Sequence, residues 1–174
     1  DVCSSDLDFN LNLFLKKAAE DFSIKEFESK EKMYDYLDQN KEKKVFGFKA
    51  AAAAKYYVFK FENEAVLDQI EGEFSQAYKE LDVSILHNII LDRYLGIDKK
   101  ALAAKTNLDY IRYRDRALRE LEDGKYQAAF ILNPTSVKEV KDIADQGEKM
   151  PQKSTDFYPK LLTGMVINKL SIKK

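Results

Sequence analysis

The run Tyr126 to Leu132 reads Y-Q-A-A-F-I-L and is apolar apart from Gln127 and the tyrosine hydroxyl. A half-buried strand alternates apolar and polar residues, and an amphipathic helix repeats them every three to four positions. This run does neither. It has strand length and is bounded by Gly124 before it and Asn133-Pro134-Thr135 after it. Such a segment predicts a central strand, flanked on both sides, because an edge or a solvated face would demand polar residues. Pro134 then removes a backbone donor and restricts Asn133, so the chain must turn there.

The rest of the chain is arranged around that strand. Leu11, Phe14, Leu15, Ala18 and Phe22 recur at helical spacing, so 9–21 is expected to be an amphipathic helix. A short strand follows over 22–28. A second helix over 30–40 turns Met33, Tyr36 and Leu37 inward. Val45 to Ala50 and Tyr56 to Glu62 are rich in Val, Phe and Tyr and predict a hairpin. The alanines from Ala50 to Ala54 favour helix by propensity. Lying between two strand patterns, they are taken as a loop or wide turn. A helix broken around Gly72 is expected over 65–79. Leu81 to Leu95 reads as a largely buried helix, capped by Asp82 and ended by Gly96. A strand over 108–113 and a helix over 115–123 precede the central strand. Ser136 and Glu139 have capping-box spacing and begin a helix whose buried stripe is Val137, Val140 and Ala144, with Gly147 at its end. A last strand is expected over 161–170. Helices and strands do not alternate strictly. The expected fold class is therefore α+β, with helices packed on a mixed, mainly antiparallel sheet.

Composition narrows the function classes. The chain is 34% charged with a net charge of −1, and its lysines interleave with acidic residues. Nucleic-acid binding would need clustered basic residues. The one small cluster, Lys41, Lys43 and Lys44, is interrupted by Glu42 and reads as a solvated turn. No long apolar span or signal peptide is present, so no membrane partner and a cytoplasmic location are expected. Asp1 to Leu7, D-V-C-S-S-D-L, is the translation of one frame of a common short-read sequencing adapter. It is expected to be an artefact, poorly packed and in no sheet, with one truncated α+β domain or lobe over 8–174. Cys3 is the single cysteine, so the remainder offers no disulfide, zinc knuckle or thiol nucleophile.

The segment Met150 to Gly164, M-P-Q-K-S-T-D-F-Y-P-K-L-L-T-G, cannot be a regular helix, since Pro151 and Pro159 interrupt it. It reads as an ordered loop that brings Lys153, Ser154 and Thr155 to one place. With Leu81-Asp82-Val83-Ser84-Ile85-Leu86-His87, Ile111-Arg112-Tyr113-Arg114-Asp115 and Ala129-Phe130-Ile131-Leu132-Asn133-Pro134-Thr135, this segment resembles the C-terminal portion of a bacterial and archaeal family known as domain of unknown function 1015. That family is more distantly similar to the ParB superfamily of nucleotide-using proteins, which includes free-serine kinases. The resemblance implies a nucleotide- or phosphate-using small-molecule enzyme, with a nucleotide as the cofactor class and a phosphate-bearing small molecule as the partner. It also implies an Asp-Gly-His-His-Arg stretch upstream, which this sequence does not contain. A non-catalytic binding or interaction module is the alternative.

The candidate ligand-binding residues are Asn133, Thr135 and Ser136, at a strand end and helix start suited to an anion, together with Lys153, Ser154 and Thr155. The plainer account is that Thr135 and Ser136 cap the helix. Tyr113, Asp115, Tyr158 and Lys160 are secondary candidates, with Asp115 also able to cap. His87 is the only histidine and the only candidate for a catalytic role. Its apolar helix favours a core residue bonded to backbone or to Ser84. No second His or Cys completes a metal set.

Overall fold

A computed structural model of the chain describes residues 2–4, 9–97, 108–151 and 154–155. The expected last strand over 161–170, and Lys153, Tyr158 and Lys160, lie outside these residues. The described chain is an α+β fold built on a six-stranded sheet. Its strands are β1 (Val2–Ser4), β2 (Phe22–Phe27), β3 (Val45–Ala50), β4 (Tyr56–Phe61), β5 (Leu108–Tyr110) and β6 (Ala128–Leu132), in the order β2-β4-β3-β6-β1-β5. Every pairing between neighbours is antiparallel. The helices are α1 (Leu11–Ala18), α2 (Lys30–Gln39), α3 (Gln76–Lys79), α4 (Asp82–Ile85), α5 (Arg114–Glu122) and α6 (Val137–Asp145).

The sheet is covered on both faces, and this explains the unbroken apolar run of β6. Phe46, Phe48 and Ala50 of β3 and Ala128 and Phe130 of β6 point into one core, with Phe14 and Ala18 of α1 and Ile85 of α4. Val45 of β3 and Ala129 and Ile131 of β6 point into the other, with Met33 and Leu37 of α2 and Leu118 and Leu121 of α5. Side chains alternate along a strand, so both phases of β6 must be apolar. Strand β6 pairs with β3 on one side, Phe46 opposite Leu132, and with β1 on the other, Val2 opposite Phe130. The first core is dominated by rings: Phe48 lies 4.9 Å from Phe130, 5.1 Å from Phe14 and 5.3 Å from Phe59.

Several expectations are corrected. Val2–Ser4 does belong to the sheet, filling the place between β6 and β5. Strand pairing is made by backbone groups that every residue but proline carries, so it asks little of side-chain composition. Tyr34, rather than Tyr36, joins Met33 and Leu37 among the buried residues of α2. The expected helix over 65–79 is a 3₁₀ helix (Glu64–Gln69) and the one-turn α3, separated at Gly72, whose φ is 123°. The helix after Leu81 starts as α4 but continues as a π-helix over Leu86–Tyr94. Its N-cap is Leu81, so Asp82 stands in the first turn and caps nothing. Gly96 ends it at φ 68°, as expected from the sequence. The stripe of α6 is also shifted. Val137 is 80% exposed and Ala144 is exposed, while Ile143 is the buried residue, packed with Leu81 and Val83. The helix packs through Ile143 on α3 and on Leu81 and Val83 at the start of α4, and that narrow contact needs one deep residue rather than a stripe.

Candidate functional site

The end of β6 delivers Asn133 to Ser136 to the start of α6. The turn is held from both directions. Asn133 donates its side-chain amide to the Leu37 carbonyl at 3.2 Å. Ser136 caps α6 with a complete capping box: its hydroxyl accepts the Glu139 amide, and the Glu139 carboxylate accepts the Ser136 amide at 2.8 Å. The Thr135 hydroxyl donates to the Ser154 carbonyl at 2.9 Å. The segment after α6 thus returns to the turn that precedes α6. Two further contacts shape that return. The Glu148 carboxylate accepts the Ser75 amide and hydroxyl at 2.7 and 2.6 Å, and the Ser154 hydroxyl donates to the Pro151 carbonyl at 2.6 Å. Thr155 is exposed.

A charged group reaches this place from an unexpected source. Lys44 lies just before β3, whose Phe46 pairs with Leu132, so it enters the sheet where β6 runs into the turn. Its ammonium is 3.2 Å from the Glu139 carboxylate and 3.6 Å from that of Asp82, at the start of α4. Asp82 is 16% exposed, and its Oδ1 is buried without a hydrogen-bond partner. Burial pushes the Asp82 carboxyl up to about 7, against the pull of Lys44, and the Glu139 charge adds to the rise. Burial acts on Glu139 in the same direction. There the Ser136 amide and hydroxyl, with Lys44, outweigh it and hold the carboxyl below the usual range. Three elements therefore meet at one ammonium and two carboxylates of opposite titration behaviour. In the sequence Lys44 looks like part of a solvated turn, Asp82 like a cap and Glu139 like half of a capping box. Only the β3–β6 register and the packing of α4 against α6 bring them together.

The other candidates lie elsewhere. His87 is on the π-helical stretch, and its Nε2 is 3.1 Å from the Tyr110 hydroxyl of β5 rather than bonded to Ser84. Burial lowers its pKa to about 4, so the ring is neutral near pH 7. The Ser84 hydroxyl is buried without a partner. Tyr113 is 61% exposed and is the N-cap residue of α5. Asp115 does not cap that helix. It accepts from the Tyr34 hydroxyl at 3.4 Å and from Lys30 at 3.5 Å, on the side where α2 meets α5. Among the described residues, no group of three or more His, Cys, Asp or Glu is arranged to hold a metal ion, and no helix is long and apolar enough to cross a membrane. No protein-family model, curated protein or solved structure matches the chain.

Proposed function

We propose that this chain is the C-terminal part of a nucleotide- or phosphate-using small-molecule enzyme of the domain of unknown function 1015 kind, similar to the ParB-related kinases. Here the Asn133–Ser136 turn and the loop through Ser154 form one wall of an anion site. The observation that carries this reading is the Thr135–Ser154 hydrogen bond, which joins the turn and the loop at the start of α6, close to Lys44. A helix start offers amides that its own turns cannot use, and its dipole favours negative charge. Lys153 supplies the cation in this reading, because Lys44 is already balanced by Glu139. The catalytic base and acidic residues come from a part outside this sequence.

A second reading, a non-catalytic interaction module, is favoured by one observation. The hydroxyls of Thr135, Ser136 and Ser154 each have an acceptor within the protein, so none of them needs a ligand as its acceptor. Calorimetric titration with inorganic phosphate and with ADP separates the two. The enzyme reading expects binding by the wild type, and a loss on the order of tenfold to a hundredfold in Lys153→Ala, the value of one charge-assisted hydrogen bond. Circular dichroism would verify that the variant is folded. Equal affinity in the variant, or no binding by the wild type, sinks the enzyme reading.

A further inference from the structure

The π-helical stretch Leu86–Tyr94 contains no proline or glycine that would force an unusual register, and π-helices are rare. Its closing hydrogen bonds nevertheless each span one residue more than an α-helix would use. Leu95 donates its amide to the Ile90 carbonyl at 3.2 Å, five residues back where an α-helix takes four. Ile97 donates to the Leu91 carbonyl at 2.8 Å, six residues back where the Schellman ending takes five. Residues 92–94 lie inside both rings.

The side chains explain why the same nine residues do not wind as an α-helix. Positions seven apart share one side of an α-helix, nearly two turns on. Arg93 would then follow Leu86, and Tyr94 would follow His87. Leu86 is fully buried, whereas the Arg93 side chain is 41% exposed. His87 meets the Tyr110 hydroxyl of β5. Tyr94 donates its hydroxyl to Asp21, just before β2, and its ring packs on Phe22. Strands β5 and β2 are the two opposite edges of the sheet. With about 4.4 residues per turn, seven steps of a π-helix end about 150° away, so the two rings point apart. An α-helix one residue shorter does nearly the same, since six steps of about 100° end about 120° away.

We infer that this stretch carries one surplus residue within 92–94, and that the π register takes it up between two fixed anchors, His87 on Tyr110 and Tyr94 on Asp21. The helix is a brace between the two edges of the sheet. Its anchors set the register, and the brace needs one residue fewer than the chain supplies. Whether the Asn133–Ser136 turn binds an anion does not enter.

Deletion of Asp92 from the full chain tests this. Among the described residues the Asp92 side chain makes no hydrogen bond or ion pair, so its removal breaks no side-chain contact. The variant is expected to fold, with a urea midpoint no more than about 0.5 M below that of the wild type. NMR should show the Leu95 amide still coupled through its hydrogen bond to the Ile90 carbonyl, now four residues back. Ring contacts of Tyr94 with Phe22 and of His87 with Tyr110 should persist. In an ordinary α-helix the deletion would swing every later residue by about 100° and take Tyr94 off Asp21. A larger fall in midpoint, or loss of either ring contact, overturns the inference. Deletion of Arg93 shortens both long rings as well and decides the matter should the Asp92 variant not fold. If neither deletion variant folds, the stretch has no surplus residue.

Discussion

Gly47 of β3 lies beneath Leu37 and Met33 of α2, and replacing it with alanine tests how tightly that face is packed. A methyl group built on Gly47 would lie 2.9 Å from Leu37 Cδ1, 3.0 Å from Ile131 Cβ and 3.2 Å from Met33 Sδ. Leu37 and Met33 are 1% and 0% exposed, so neither can swing into water. The sulfur can adjust, as methionine does, and the Leu37 methyl can rotate. Ile131 Cβ cannot, because it is fixed to the backbone of the neighbouring strand. Alanine needs no unusual backbone here, since Gly47 is not among the glycines at positive φ. Overpacking of this kind costs about 1–3 kcal/mol. Replacing glycine within a strand returns about 0.5–1 kcal/mol through the unfolded chain. The expected net loss is therefore about 0–2.5 kcal/mol, measured by urea unfolding at unchanged m value. The steric origin gives a second signature. Leu37→Ala alone should cost about 2–5 kcal/mol by leaving a cavity, and in the Gly47→Ala background it should cost at least about 0.5 kcal/mol less. Stability of Gly47→Ala clearly above that of the wild type would refute the reasoning. Strict additivity of the two changes would do the same.

Phe130 is 1% exposed and touches both Phe14 and Phe48, so Phe130→Ala is expected to lose about 3–5 kcal/mol in the same assay, and a loss under about 1 kcal/mol would contradict its burial. His87 should titrate near 4 by side-chain NMR. Its folded pKa lies below the unfolded value of 6.5, so the unfolded chain binds the proton first, and stability present above 6.5 is lost as the pH falls toward 4. A midpoint at the ordinary imidazole value would show that the ring is solvated and that its contact with Tyr110 is not maintained.

Much of the local structure was legible from side-chain chemistry alone. Ser136 and Glu139 announce a capping box because the two side chains need only each other's backbone, three residues apart. Gly96, Gly124 and Gly147 end helices because each takes a positive φ that other residues resist. The hairpin of β3 and β4 and the central place of β6 follow from β-branched and aromatic runs whose period has no helical account. The α+β class was legible for the same reason. By contrast, the inward face of α6 was misjudged at Val137, because periodicity shows that a helix has an apolar side but not how wide its partner is. Val2–Ser4, expected in no sheet, pairs with β5 and β6, because backbone pairing leaves little trace in composition.

What the sequence determines by itself in this protein is therefore set by interactions spanning a few residues: caps, helix ends, turns and the apolar phase of each strand. Those terms are carried by the residues that display them. The tertiary structure alone decided that Gly47 must be bare beneath Leu37 and that His87 finds Tyr110. It alone decided that Lys44, Asp82 and Glu139 share one small space. The Asp82 carboxyl departs from its usual range chiefly because folding removes water from it, with the Glu139 charge adding to the rise, and both depend on neighbours far away in the chain.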